Sequence, residues 1–275
     1  MKNSQHDNKP VSAAELQWEE ISSIESTLHA NRQPSTDALV GRELLLAGAD
    51  VARTRLNFYS DTHLKCNGVA HLYDAVEAVP GLFLVGFQHS HEPRTSTTLV
   101  IDLETNQVTE VLARMPTVDD ADTSLMRRAQ QSGELSPVVV EFRHRRLGTD
   151  KAESSEHHPT DLLVGKRVRY SYSDGGVYEH IYLNKRLYTW HCLAGSEQGL
   201  ADTDACSTFL IRPDIYLFCW REKVIPTLGI VLVNATAEPY QSNGHLMGIN
   251  TRTGAVSYFP VGAKGTLVNT TASIS

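Results

Sequence analysis

Positive charge is scarce in this sequence of 275 residues. Its 25 lysines and arginines are outnumbered by 32 aspartates and glutamates, which gives a formal net charge of -7 at pH 7. Without a basic stripe, this balance argues against nucleic acid or an anionic membrane as a partner. The dense basic cluster Arg143-His-Arg-Arg146 is interpreted as part of a solvated linker.

Long apolar runs and paired cysteines are also missing. No apolar stretch reaches the roughly 18 residues that a membrane-spanning helix needs. The first thirty residues are polar and lack the apolar stretch of a secretory signal. The four cysteines show no C-x-x-C spacing, which is typical of reduced thiols rather than of a disulfide framework. We therefore predict a cytoplasmic protein.

Sequence features of metal and phosphate binding are weak. His89-Ser-His91 could present two imidazoles on one face of a strand, yet no third ligand stands at a useful spacing. The pair His157-His158 falls in the predicted linker. No glycine-rich loop or basic cradle is available for a phosphate group. We predict neither a metal nor a cofactor.

What the sequence does contain is an internal repeat. Asp37-Ala-Leu-Val-Gly41 reappears as Asp161-Leu-Leu-Val-Gly165, and Pro80-Gly-Leu-Phe-Leu-Val-Gly-Phe87 reappears as Pro213-Asp-Ile-Tyr-Leu-Phe-Cys-Trp220. A third, weaker echo follows in the same order. Blocks repeated once in the same order indicate two copies of one fold, and the chain is long enough for two domains.

Within each copy, hydrophobic residues alternate with a period of two. Segments such as Leu82-Phe-Leu-Val-Gly-Phe87 and Leu187-Tyr-Thr-Trp-His191 are typical of short antiparallel strands, which predicts a small sandwich or a closed barrel. Before them, Ser12-Ala-Ala-Glu15 has the spacing of a capping box. It predicts a short helix that ends before Pro34 and either docks on the body or frays.

Several segments closely resemble the MoaF family: Tyr178-Glu-His-Ile-Tyr-Leu-Asn184, Tyr188-Thr-Trp-His-Cys192 and Trp220-Arg-Glu-Lys-Val-Ile-Pro-Thr-Leu-Gly229. The resemblance covers residues 36–265 and is strongest over 161–263. It implies a mostly β protein of two calycin/lipocalin-like antiparallel β-barrel domains related by internal duplication. The expected organisation is a polar tail at 1–35, a first barrel domain at 36–142, a linker at 143–160, a second barrel domain at 161–268 and a tail at 269–275.

A weaker similarity links the second copy to phenolic acid decarboxylases, which are also calycin-like barrels. It rests on Leu163-Val-Gly-Lys followed by Tyr170-Ser-Tyr172, and on Cys219-Trp-Arg-Glu222. The similarity implies that Tyr170 and Tyr172 hold an oxygen of the substrate and that Glu222 is the acid/base. The decarboxylases use an arginine where this chain has acids, between His191 and Asp204, so carboxylate binding is not expected to carry over.

Glu222 is therefore the central candidate residue. Inside an apolar barrel its charged form would be disfavoured, which would raise its pKa and make it a proton donor or acceptor near neutral pH. The alternative is that Arg221-Glu222-Lys223 is a solvated hairpin edge. The predicted catalytic set is Glu222, Tyr170 and Tyr172, and the predicted substrate-binding set is Tyr182, Trp190, His191, Trp220 and Asp202.

The function predicted from these residues is binding of a small aromatic or conjugated metabolite in the second barrel. The predicted chemistry is cofactor-free proton transfer, as in a lyase or an isomerase/cyclase. The alternative is a non-catalytic carrier or sensor, such as an accessory protein of a metabolic gene cluster. A homodimer is possible. The first copy has Leu44-Leu-Leu46 and Phe87-Gln-His89 at the corresponding places, without a carboxylate. It is expected to be structural or to be a partner that shapes the pocket.

Overall fold

A computed structural model describes residues 18–48, 51–148 and 157–271. The described chain is mostly β and forms two closed antiparallel barrels of eight strands each. This confirms the barrel fold that the resemblance implied. Of the two alternatives predicted from strand periodicity, the structure has the closed barrel and not the sandwich. No helix in the described ranges is long and apolar enough to cross a membrane.

The first barrel follows the order of the chain. Its strands are β1 (Glu43–Gly48), β2 (Val51–Phe58), β3 (His63–Cys66), β4 (Val69–Val79), β5 (Leu82–His89), β6 (Glu92–Asp102), β7 (Gln107–Arg114) and β8 (Val139–Leu147). Each strand pairs with the next, and β8 closes the ring on β1 where Leu46 faces Leu147. Apolar side chains, Phe58 and Phe87 among them, fill the interior.

Two short helices lie between β7 and β8. They are α2 (Val118–Asp122) and α3 (Leu125–Gln131), and they follow a shorter helix, α1 (Ile21–Ile24), near the start of the described chain. Thr117 caps α2 in a capping box with Asp120. The capping box predicted at residues 12–15 lies outside the described residues.

The second barrel repeats the arrangement and adds one outer strand. Its strands are β9 (His158–Pro159), β10 (Lys166–Ser173), β11 (Gly176–Tyr182), β12 (Leu187–Ala194), β13 (Ala201–Arg212), β14 (Ile215–Arg221), β15 (Thr227–Asn234), β16 (Tyr240–Ile249) and β17 (Val256–Thr270). Pairings of β10 with β17 and of β12 with β13 close the ring, while β9 lies on the outer edge of β13.

The repeated Leu-Val-Gly segment forms the same turn in both copies. Gly41 and Gly165 have φ angles of +80° and +83°, in the left-handed region that glycine adopts without penalty. Their amides donate to Phe58 O and Tyr182 O, the ends of corresponding strands. The repeated segment therefore forms the turn that precedes the first long strand of each barrel, β1 and β10.

The interpretation of Arg143-His-Arg-Arg146 as a solvated linker is wrong. These residues belong to β8, the strand that closes the first barrel. Arg145 is buried and its Nε donates to Glu110 at 2.7 Å. The segment looks like a linker because four basic residues follow one another, and the buried carboxylate of Glu110 on β7 is not visible from local composition.

The two barrels pack against each other through outward-facing apolar side chains. Leu82 and Leu84 on β5 belong to one cluster with Leu217, Ile230 and Leu232 on β14 and β15. Ion pairs reinforce the contact. The barrels are therefore separate rings that share an apolar interface.

Candidate functional site

The second barrel contains a cavity whose wall is largely aromatic. The cavity has a volume of about 50 Å³, which is enough for a few water molecules. The aromatic side chains that line it are Tyr172, Tyr178, His180, Tyr188, Trp190 and Trp220. They come from neighbouring strands β10, β11, β12 and β14, where alternate side chains point into the barrel.

Glu222 lines this cavity, immediately after the end of β14. Its amide donates to Thr227 O at 2.8 Å, which holds the tight connection to β15. Its Oε1 accepts from Trp220 Nε1 at 3.0 Å. Burial, followed by the negative charge of Asp204, raises the pKa of Glu222 well above its usual value. Both effects favour the protonated form of the carboxyl over the ionised form.

Tyr172 lines the cavity together with Glu222, but Tyr170 does not. The Tyr170 hydroxyl lies 3.1 Å from the Tyr182 hydroxyl, and both rings are buried in the barrel core. Both residues share the interior with Tyr172, as alternation predicts, yet they lie in a layer beyond the cavity wall. The structure thus brings one of the two tyrosines to the candidate acid.

Of the predicted binding residues, Trp190 and Trp220 line the cavity, whereas His191 and Asp202 do not. His191 faces Glu179 across the β11–β12 ladder and is half-buried, while its neighbours Trp190 and Cys192 point inward. The possibility that His191 enters the interior is therefore excluded, because strand neighbours point to opposite faces.

Asp202 lies instead beside a lysine. It forms an ion pair with Lys223, which also contacts Asp204 at 3.4 Å. Asp204 in turn accepts from Trp190 Nε1 at 3.0 Å. Asp204 therefore anchors the indole from behind, and neither aspartate lines the cavity.

His180 is the imidazole that reaches the cavity, and sequence reasoning missed it. Its side chain is 5% exposed and its Nδ1 has no hydrogen-bond partner among the described residues. Burial lowers the pKa of His180 to about 3, so the ring is neutral at physiological pH. Its place between Tyr178 and Tyr182, with the same parity along β11, was the available signal.

Glu197 is a second cavity carboxyl that was not singled out. It is 8% exposed, and its Oε2 accepts from the Tyr178 hydroxyl at 3.0 Å. Burial raises the pKa of Glu197. The acid-rich segment after β12 was the sequence signal, but the segment contains several acids and its composition does not reveal which one turns inward.

The chain before the first barrel covers the cavity of the second. Ile21, Ile24 and Leu28 line the cavity, and so does Glu19, whose amide donates to Glu197 Oε1 at 3.2 Å. We name residues 18–33 the covering segment. The helix α1, which lies within the range predicted to be helical, is docked on the second barrel through buried Ile21 and Ile24.

Hydrogen bonds to β10 and its turn fix the covering segment. Ser173 Oγ donates to Thr27 O at 2.7 Å, and Asn31 Nδ2 donates to Ser171 O at 2.8 Å. Trp18 packs edge-on against Trp190, with ring centroids 5.6 Å apart. The segment closes the cavity with apolar side chains and contributes one carboxyl.

The lining is rich in carboxyl groups. Three carboxyl side chains line the cavity, those of Glu19, Glu197 and Glu222, and no lysine or arginine among the described residues does so. The described residues also contain no group of three or more side chains suited to hold a metal ion. The site offers acids, phenols, indoles and one neutral imidazole.

Comparisons with known proteins match this architecture. A family model described as the MoaF N-terminal domain matches residues 16–117, and one described as the MoaF C-terminal domain matches residues 157–271. Protein MoaF of Klebsiella aerogenes is 32% identical over 245 residues, which are 88% of this chain and 91% of that protein.

A solved structure from Burkholderia vietnamiensis is similar at 13% identity, over 39% of this chain and 97% of that one, with a TM-score of 0.32. That score is too low for a structural conclusion. The two domain models together with the Klebsiella relative are decisive, and the chain belongs to the MoaF family.

Proposed function

We propose that the second barrel binds a small aromatic or conjugated metabolite and moves a proton on it without a cofactor, as a lyase or an isomerase/cyclase. The observation that carries this proposal is a buried carboxyl, Glu222, in the wall of an aromatic cavity, where burial raises its pKa. General acid–base catalysis needs a group that changes protonation near the working pH, and burial supplies that condition.

The chemistry follows from the state of the groups. The Glu222 carboxylate takes a proton from one atom of a conjugated ligand, and the resulting carboxyl gives a proton to another atom, so that the proton count balances. The Tyr172 hydroxyl donates a hydrogen bond to the ligand oxygen on which negative charge develops. Neutral His180 supplies a further donor or acceptor in the same wall.

Replacement of the acid tests the proposal. A panel of conjugated and phenolic metabolites is incubated with the protein, and products are followed by mass spectrometry. We expect Glu222→Gln to slow turnover of any responsive substrate about 100-fold or more, since the amide cannot transfer the proton. Glu43→Gln, on the exposed outer surface of the first barrel, is the matched control. Equal turnover by Glu222→Gln would remove the proposed role.

A carrier or sensor is the second candidate function. It is favoured by the covering segment, which encloses the cavity as a binding protein encloses its ligand. The two functions differ in outcome: a carrier is stabilised against heat by its ligand and forms no product, whereas an enzyme consumes the ligand.

The free thiols of Cys66, Cys192, Cys206 and Cys219 support the proposal that either function operates in the cytoplasm.

A further inference from the structure

The cavity is unsuited to an anion. Its lining carries three carboxyl groups, and the nearby cation, Lys223, is engaged behind the wall by Asp202, Asp204 and the carbonyl oxygen of Thr203. His180 cannot compensate, because burial holds it neutral at physiological pH. A carboxylate or phosphate entering the cavity would lose its water without gaining a positive partner, which is costly in a buried site.

The same lining fits a cation on an apolar body. The faces of Trp190, Trp220 and Tyr172 can surround a positive group through cation–π contact. Carboxyl oxygens of Glu197 and Glu222 can accept its N–H hydrogen bonds and balance its charge.

A second observation points to a missing hydrogen-bond partner. His180 lines the cavity, is 5% exposed, and its Nδ1 has no partner in the described part of the chain. Buried polar atoms are almost always paired, so an unpaired nitrogen in a cavity wall indicates a group that arrives with a ligand or with water. A neutral imidazole keeps one nitrogen as an acceptor, which an ammonium N–H can use.

We propose that this cavity selects a protonated amine carried on an aromatic or apolar body. The inference rests on the proposed function, in that it names the ligand class of the same site. The ammonium group lies among Glu197, Glu222 and His180, and the apolar body lies against the indoles and the covering segment.

Binding of a cation has a consequence for Glu222. Burial raises the pKa of Glu222, and an adjacent ammonium lowers that pKa again by favouring the ionised form, so binding of the cation releases a proton to solvent. Affinity therefore rises with pH while the ligand stays protonated. The titratable groups that face Glu222 from the surrounding elements are Tyr172, Tyr178, His180, Tyr188, Glu197 and Asp204, with Asp202, Lys223 and Glu19 at the rim.

Three probes of one shape test the ligand class. Benzylamine, benzyl alcohol and phenylacetate share a benzyl body and are, at pH 7, a cation, a neutral molecule and an anion. Isothermal calorimetry on the full chain should show benzylamine binding at least about tenfold more tightly than benzyl alcohol, with phenylacetate the weakest. Calorimetry in two buffers of different ionisation enthalpy should show release of about one proton per benzylamine bound.

Substitutions tie the binding to the cavity. Glu222→Gln should abolish proton release, and both Glu222→Gln and Glu197→Gln should weaken benzylamine about tenfold and benzyl alcohol much less. Glu43→Gln, with its exposed carboxyl, is the control, and circular dichroism checks that each variant is folded.

The outcomes separate the two proposals. Equal or tighter binding of benzyl alcohol or phenylacetate overturns the amine class and leaves a small-molecule site. Benzylamine binding that neither cavity substitution alters places the amine elsewhere and also overturns this inference. Failure of all three probes to bind at millimolar concentration counts against both the amine class and the proposed small-molecule site.

Discussion

At Glu222, an acid is stabilised by an aromatic N–H donor rather than by a cation. Trp220 Nε1 donates to one carboxyl oxygen of Glu222, and the Glu222 side chain lines the cavity. Nearby Asp204 is negative and opposes ionisation of Glu222 further. Ionisation of Glu222 therefore creates a buried negative charge, and the free-energy cost of that charge raises the pKa of the carboxyl.

This arrangement makes the stability of the protein depend on pH. The folded-state pKa of Glu222 lies above its unfolded value, so its contribution to stability is greatest below the unfolded pKa and declines as pH rises toward the folded one. The decline is at most about 1.4 kcal/mol for each pH unit between those two values. The substitution Glu222→Gln removes this dependence of stability on pH. It keeps a side-chain oxygen that can accept the hydrogen bond from Trp220 Nε1.

We expect the melting temperature of Glu222→Gln to rise relative to wild type as pH increases from 5 to 8. Melting curves followed by circular dichroism give this difference at each pH. Glu197 and Asp204, whose pKa values are also raised by burial, titrate in both proteins and cancel to first approximation. A difference in melting temperature that stays constant with pH would mean that Glu222 ionises freely in the folded state.

Strand periodicity accounts for the residues that sequence reasoning placed correctly, and for one that it misplaced. Tyr172, Trp190 and Trp220 lie inside because alternate residues of a barrel strand face the interior. The same rule selects His180 and excludes His191, but it acts only once the strand's register is known. The sequence could not separate Tyr172 from Tyr170, since both face inward and only depth distinguishes them.

At the scale of elements, the covering segment links the start of the chain to the second barrel. Ile21 and Ile24, both buried, seal the cavity from one side. Gly248 on β16 permits this close approach, because a Cβ there would overlap with Ile21. The sequence pattern predicted a short helix before Pro34, but it did not predict that this part of the chain contacts the second barrel. Contacts across more than 200 residues, such as Gln33 N donating to Asn243 Oδ1, leave no local signal.

Loosening of the covering segment should be measurable without a ligand. Ile24→Ala removes apolar contacts from the segment, and Gly248→Ala pushes it away from the barrel. For both variants we expect hydrogen exchange in residues 18–33 to quicken about tenfold or more, because local opening becomes easier by more than about 1.4 kcal/mol. Exchange in β14 and β15 should hardly change.

Ser22→Ala is the control for these variants, since Ser22 is exposed in the same helix. If Ile24→Ala and Gly248→Ala exchange like this control, the segment is held by its hydrogen bonds to β10 and not by its apolar face. Exchange that quickens throughout the second barrel would instead make the segment part of one cooperative unit with it.

For the whole molecule, duplication explains the division of labour between the barrels. The internal repeat predicted two copies, and the structure adds that the outward faces of β5 and of β14–β16 are joined in one apolar cluster. At Gly86 on β5, a Cβ would overlap with the ring of His245, so this ring of the second barrel packs directly against the backbone of the first. This packing was not predictable, because uniformly apolar strands do not reveal which face meets another domain.

An ion pair between the barrels offers a test of how much their contact stabilises the whole. Arg212 donates twice to Asp102, with Nε–Oδ2 and Nη2–Oδ1 distances of 2.9 and 2.7 Å. Burial alone would raise the pKa of Asp102, but the hydrogen bonds from Arg212 and from the Thr105 and Glu104 amides lower it. Its contribution to stability is therefore present above the unfolded pKa and lost as pH falls through the folded one.

Arg212→Ala should lower the free energy of unfolding by about 3 kcal/mol at pH 7, because it leaves the fully buried carboxylate of Asp102 without its cation. Urea denaturation measures this loss, with Arg252→Ala on the exposed surface as control. The deficit should shrink as pH falls, because without Arg212 burial raises the pKa of Asp102 and the carboxyl becomes protonated at a higher pH than in the wild type. In a double-mutant cycle with Asp102→Asn, a coupling energy of about 1–3 kcal/mol is expected. A coupling energy near zero would mean that the apolar cluster alone holds the barrels together, since the charged pair would then add nothing that its separate members do not.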